Sequence, residues 1–436
     1  MSLTALAEVI LANAKELDQR GVVDVESKIG FRDLTQSDLD CRACLITAIR
    51  EMHRMALGPA ETIYNMLMSS TGDITSLLAL ARYDIPAKVP TTGSTSFAAL
   101  AEHTAGGGGA LDAETLARLL RNAIVEGIFA EPSPGQIQHT PTSRLLQNPD
   151  FAALVGFYAE ENGGAAGSTT LDALARWRCS REPACTGFAL ANAGGRGGEG
   201  GTETGAYESF FAELAKDPAR VKRAAGAFNA LPQMLVQGQD GLSRSPLWRE
   251  LDESAAAQSD GFAVVVDVGG NRGHASMALA DATTERVRFV VEDLPGPVAL
   301  GEEGLPERYR GRVSFRIQDF FKEQGVKHAD VYFLRKVMHD FPDHYCVKII
   351  RALIPALKEG ARVVVCDRLM PEASKAGYEQ REARFSDLAM LQLLNGRERS
   401  ETDWKKLFAD ADSRFEIEFE HWTGNLHGLV IATWRP

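Results

Sequence analysis

Val264-Val-Val-Asp-Val-Gly-Gly-Asn-Arg-Gly-His-Ala275 is the stretch on which the reading of this chain turns. A continuous apolar run ends in an acid, a glycine-rich turn follows, and a helix is expected over Ala275–Ala280. Such a strand–turn–helix lets backbone approach a ligand closely and points the free N–H groups of the helix start at it. A dinucleotide fingerprint would need glycine at the positions held by Asn271 and His274. A pyrophosphate-bearing dinucleotide is therefore not the expected ligand. Asp267, at the end of the strand, suits a nucleoside that carries a cation.

Working outward from this turn, strands are predicted at Ala263–Val268, Arg288–Val291, Val313–Ile317, Val331–Leu334, Arg362–Cys366, Phe415–Glu420 and Leu429–Thr433. Most are dominated by apolar residues, as strands covered on both faces must be. Phe415–Glu420 instead alternates apolar and acidic side chains, like a half-exposed strand, and with the last strand it is expected to form a hairpin. With helical segments between strands, the region 226–436 reads as an α/β domain, a mostly parallel sheet with helices on both faces.

Chemistry-bearing residues gather at the ends of these strands. Glu292 and Asp293 follow the second, and either can hydrogen-bond ribose hydroxyls. Asp319 and Phe320 follow the third, an acid for an exocyclic amine and a ring to cover a base. After the fourth comes Leu334-Arg-Lys-Val-Met-His-Asp-Phe-Pro-Asp343, with His339 beside the expected ligand. A lone histidine on a turn is more often structural. Here Asp367 at the end of the fifth strand and Glu398 in Asn395-Gly-Arg-Glu-Arg-Ser400 are carboxylates that can orient an imidazole acting as a base near neutral pH.

Upstream the organisation changes. Met1–Arg20 has the period of an amphipathic helix and not the unbroken apolar stretch of a signal peptide. Asp73 is expected to cap a helix running to Tyr83, Ser96 to cap a second, and Leu111–Glu126 to form a third. Two short strands around Pro132–Gly135 complete a winged-helix pattern within residues 1–150. Residues 151–225 carry glycine-rich pieces at Gly163–Gly167 and Gly194–Gly205, both expected as surface loops. The aromatics Phe157, Tyr158, Trp177, Phe188, Phe210, Phe211 and Phe228 in this stretch read as core side chains or as a cap over a substrate pocket, with core favoured.

Bulk properties exclude several classes. A net charge of −12 without a clustered basic face opposes nucleic-acid binding by the winged helix. No apolar run reaches the roughly 20 residues of a membrane helix. Six cysteines in 436 residues make no disulfide framework, and Cys41-x-x-Cys44 lacks a second pair at zinc spacing. It reads as part of an ordinary helix, both cysteines near one face. No metal site is expected, and a reduced, cytoplasmic location is the simplest account.

In this order, the motifs resemble the caffeic-acid-type family of small-molecule O-methyltransferases, in its fungal secondary-metabolite branch. The likeness is dense from Asp267 to Trp404, clear in Ile128–Arg144, and poor through the glycine-rich middle. It implies a Rossmann-like class I methyltransferase domain whose sheet ends in an antiparallel pair. It implies S-adenosylmethionine as cofactor, held by Asp267, Gly269, Gly270, Asp293 in preference to Glu292, Asp319, Phe320 and Arg335. It also implies His339 as catalytic base flanked by Asp367 and Glu398, with Met390 and Asn395 facing the substrate. The substrate implied is an aromatic or polyketide-like small molecule. The winged helix is expected to make a homodimer, and 151–225 to cap the substrate pocket. Asn271 departs from a glycine of plant members, Arg335 from their lysine, and the loop at Asn395 is one residue shorter. The competing expectation is an enzyme of the same fold that binds the sulfonium cofactor yet catalyses a dehydration or a pericyclic reaction without methyl transfer.

Overall fold

The computed structural model describes residues 1–27, 30–104, 111–193, 207–234, 241–257, 261–373, 377–422 and 426–436. They fall into two compact units, Met1–Gly238 and Gln239–Pro436.

The first unit is mainly helical. Helix Leu3–Arg20 begins on Ser2 and ends on Gly21 in the left-handed region. Helix Gln36–Met68 opens with a capping box between Thr35 and Asp38 and is broken at Gly58, with Pro59 restarting it. Cys41 and Cys44 lie three residues apart in this helix, the first buried and the second exposed. The wing is present as β1 (Ser94–Ser96), β2 (Phe129–Ser133) and β3 (Gln136–His139), paired in the order β1-β3-β2. Helices Ile74–Arg82, Phe97–Glu102 and Ala113–Val125 precede its hairpin. Leu80, Ile85, Phe97, Leu100, Leu116, Leu120, Phe129 and Ile137 form their common core.

Three local expectations need correction or lie out of reach. Asp73 does not cap; it sits in helical conformation at the end of a π-turn, and its carboxylate accepts from Asn122 at 2.9 Å instead. Gly163–Gly167 is not a loop, because Tyr158–Ala166 is π-helical and a helix continues from Gly167. Close packing explains the glycines: a Cβ on Gly164 would lie 2.6 Å from the Ala159 carbonyl, and one on Gly187, in the neighbouring helix, 2.4 Å from the Ala166 carbonyl. Gly194–Gly205 lies outside the described residues. Of the aromatics, Phe157, Phe188 and Phe210 are buried and meet edge to face, while Phe211 and Phe228 are about half exposed.

The second unit is an α/β layer structure. Its strands are β4 (Ala263–Val268), β5 (Val287–Asp293), β6 (Val313–Ile317), β7 (Val331–Arg335), β8 (Arg362–Met370), β10 (Phe415–His421) and β11 (His427–Trp434). They run in the order β10-β11-β8-β7-β4-β5-β6, with the two-residue β9 (Arg399–Ser400) beside the end of β8. All neighbours are parallel except β11, which runs against both β8 and β10. The expected terminal hairpin is thus in place.

Fully buried Val265, Val266, Val331, Phe333, Val363, Val364 and Val365 explain the continuous apolar runs: both faces of the central strands are covered. Trp404, Leu407 and Phe408 pack on one face, and Leu247, Trp248 and Leu251 on the other. The chain runs β4, β5, β6 toward one edge and then returns to place β7 on the other side of β4, so the strand order reverses there and leaves a crevice beyond the carboxyl ends of β4 and β7. Among the described residues no helix is long and apolar enough to cross a membrane.

Candidate functional site

The carboxyl edge of β4 is shaped by backbone. Gly269 and Gly273 hold left-handed φ of 73° and 76°, and the Gly269 and Gly270 N–H groups both donate to the Glu292 carbonyl, at 2.8 and 3.1 Å. A Cβ on Gly270 would stand 2.6 Å from the Asp267 carboxyl carbon, so only glycine lets the turn close over that acid. Asp267 is fully buried and accepts from Ser276 Oγ at 2.6 Å. Burial pushes its carboxyl up to about 6, against the pull of Ser276 and the Arg335 cation. Arg335 closes β7, within the electrostatic reach of Asp267.

The sequence left Glu292 and Asp293 as alternatives. Asp293 Oδ2 accepts from Asn271 N at 2.8 Å and Oδ1 from Leu294 N at 2.7 Å, which ties it to the glycine turn. Asn271 has a left-handed φ of 52° there. Glu292 is 1% exposed; it accepts from Gln324 Nε2 at 2.7 Å and has Arg316 at 3.9 Å. Its neighbours are side chains of the fold, whereas Asp293 addresses the turn. After β6, Asp319 Oδ1 accepts from Phe321 N at 2.9 Å. Phe320 packs edge-on against Phe341, and its ring would meet a Cβ on Gly269 at 3.7 Å. Asp267, Gly269, Gly270, Asp293, Phe320 and Arg335 are thus gathered around one turn, with Asp319 next to Phe320.

The second half of the edge is made of charge. His339 sits on a one-turn 3₁₀ segment, Met338–Asp340, which Lys336 enters from β7 at a left-handed φ of 53°. Its Nδ1 lies 3.1 Å from Glu398 Oε1, and its Nε2 3.6 Å from Asp340 Oδ1. Glu398 Oε1 also accepts from Ser386 Oγ at 2.7 Å, and Arg368 Nε stands 3.7 Å away. Burial disfavours a charged ring at His339, yet Glu398, Asp367 and Asp340 together outweigh it and push the imidazole up to about 10. Burial would likewise raise Glu398, but His339 and Arg368 hold it well below the usual carboxylate range.

Asp367 is 1% exposed, and neither carboxylate oxygen has a hydrogen-bond partner among the described residues. Burial drives it up to about 7, opposed by the His339 charge. The two acids flanking the histidine are therefore unlike: Glu398 holds the ring, and Asp367 is a buried, unpartnered carboxyl in its field. Met390 and Ser386 are one helical turn apart on helix Tyr378–Leu394, which ends on buried Asn395 at a left-handed φ of 55°.

Two residues near His339 carried no sequence expectation. A Cβ on Gly396 would lie 2.1 Å from the His339 carbonyl, so this loop presses directly on the histidine turn. Arg399, with no exposed surface, donates to the Met338 carbonyl at 2.9 Å and the Phe341 carbonyl at 2.7 Å. An arginine inside the polar run Gly-Arg-Glu-Arg-Ser gives no sign that it is buried; the pairing of Arg399–Ser400 with β8 reveals it.

A family model described as an O-methyltransferase domain matches residues 248–414. The O-methyltransferase AMT9 of Alternaria alternata is 33% identical, the match covering 100% of this chain and 98% of the relative. The chlorophenol O-methyltransferase of Trichoderma longibrachiatum is 34% identical over 99% of this chain and 90% of its own length. Among solved structures, OxaC in complex with SAH and oxaline superposes with a TM-score of 0.76 at 21% identity, covering 99% of both chains. LepI in complex with SAM gives a TM-score of 0.74 at 21% identity, covering 99% of this chain and 100% of that one. At that identity the likeness speaks for the fold alone.

Proposed function

This chain belongs to the O-methyltransferase family, whose cofactor is S-adenosylmethionine, and from that premise we propose that it methylates a phenolic hydroxyl of a small secondary metabolite with His339 as general base. The observation that carries the reading is the 3.1 Å contact between His339 Nδ1 and Glu398 Oε1. With Nδ1 engaged, Nε2 is the ring nitrogen left to take a proton from a hydroxyl.

The glycine turn fits the cofactor because Gly270 admits backbone where any side chain would strike Asp267. Asp267, Gly269 and Gly270 would line its sulfonium and amino-acid end, with Arg335 as the cation opposite a carboxylate. Asp293 would take the ribose, and Asp319 with Phe320 the adenine. When bound, the cofactor supplies an electrophilic methyl group. The chain's part is to hold the acceptor, to take its proton at His339 Nε2, and to balance the imidazolium with Glu398. Met390 and Asn395 would face the acceptor. A homodimer is part of the proposal, supported by the exposed apolar side chains Ile63, Tyr64, Met66 and Leu67 on one helix; sedimentation should find twice the chain mass.

One observation favours a second reading. The carboxylates around His339 favour its protonated form, and an imidazolium serves an acid-assisted dehydration or rearrangement as readily as a proton transfer to base. Incubation with methyl-labelled S-adenosylmethionine and a panel of phenols separates the two. Label in an acceptor supports methyl transfer; a substrate rearranged without label overturns it.

A further inference from the structure

We propose that Arg399 is a positioning residue for His339, setting the orientation of the imidazole by fixing the backbone of the turn that carries it. This rests on His339 being the base. The loop after Asn395 grips that turn at successive points. Arg397 N donates to the His339 carbonyl at 3.0 Å, and Glu398 holds the ring through Nδ1. Arg399 spans the turn from below: Nη1 reaches the Met338 carbonyl at 2.9 Å, and Nη2 the Phe341 carbonyl at 2.7 Å. The carbonyls on both flanks of His339 are thus joined by one planar guanidinium. Its Nε donates to Asp343 Oδ1 at 2.9 Å, its Nη2 also contacts Cys346 Sγ at 3.3 Å, and its face lies 5.3 Å from the centre of the Trp404 ring.

Stability alone does not call for this design. Burying a guanidinium completely is costly in desolvation even when it is paired. What a planar fork adds is direction: its donors are fixed relative to one another, so two carbonyls bound to it are fixed too. Lysine keeps the charge and loses the fork. A turn held this way keeps the Nδ1–Glu398 contact and so the aim of Nε2; loosening it by about 1 Å is enough to cost roughly 100-fold in rate.

The test is Arg399→Lys in the full-length protein, read three ways. Turnover is followed on whichever phenol of the panel is methylated fastest. The expected result is a kcat lower by roughly 10- to 100-fold with S-adenosylmethionine affinity by calorimetry unchanged. In ¹⁵N-histidine spectra the His339 titration should move down from its raised position toward the ordinary imidazole range, because a ring released from Glu398 loses its nearest carboxylate. A lower melting temperature with kcat and the His339 titration as in wild type would mean a brace only, and would overturn the proposal. So would a rate loss that simply follows lost cofactor binding. If Arg399→Lys does not fold, Asp343→Asn replaces it, since that half-exposed carboxylate anchors Nε; the same shift at smaller size is expected, and none would refute the idea. The titration needs no turnover, so it can be read even if His339→Ala retains activity and the general-base reading fails.

Discussion

The two halves of the carboxyl edge are built on opposite principles. Beyond β4 and β5 the site is made of backbone: three glycines, a left-handed asparagine, and carboxylates spent on N–H groups and Ser276. Beyond β7 and β8 it is made of side-chain charge: one imidazole among three carboxylates, with Arg368 and Arg399 around them. The first half recognises a ligand mainly by shape, and its buried Asp267, raised by burial to about 6, titrates well below His339. The second can move a proton and must respond to pH. Binding and chemistry are thus separable by mutation, and three substitutions probe that separation.

The largest effect is expected from His339→Ala, which removes the proposed base. Its kcat should fall by about 10²–10⁴-fold while calorimetry finds cofactor affinity little changed. Turnover retained in this variant would end the general-base reading. Next is Glu398→Gln, with a loss near the lower end of that span, about 10²-fold. It carries a signed pH consequence. The base works only when deprotonated, so kcat/KM rises as pH rises through the imidazole pKa. Neighbouring carboxylates place that pKa above the usual range, near 10 before other charges bind, so the wild-type acid limb should lie above about 6.5. Removing the Glu398 charge should move the limb down toward 6.5, and a limb that stayed put would show that Glu398 does not govern the ring. The smallest is Gly270→Ala in the other half. Its methyl meets Asp267, at about 1–3 kcal/mol of overpacking, or roughly 10- to 100-fold in cofactor affinity. The pH limb of this variant should match wild type, and a shifted limb would break the comparison.

Much of this was legible because it is periodic. The apolar strand cores Val264–Val266 and Val363–Val365 and the alternation in Phe415–Glu420 announce a covered sheet and its half-exposed edge, and the hairpin follows. Strand ends then mark where Asp267, Asp293, His339 and Asp367 come together. What escaped depends on packing that composition does not show. Gly163–Gly167 reads as a loop by composition, but Gly163 and Gly164 lie in a π-helix where a Cβ on Gly164 would strike the Ala159 carbonyl of the same helix. Asp73 has the type of a cap, yet Asn122 claims its carboxylate. Arg399 looks like one more surface charge until the turn at Met338–Phe341 is seen to need donors.

Asn271, Lys336 and Asn395 share one unusual property: each holds a left-handed backbone without being glycine, and each borders the candidate site. Such residues cost of order 1 kcal/mol apiece, and that cost persists only where surroundings over-determine the conformation. For an engineer this marks a boundary on consensus stabilisation. Swapping these three toward glycine would relax the rim and raise the entropy of the unfolded chain together, so the gain would be small. Heat tolerance is better sought away from these three positions, for example at exposed apolar Val125.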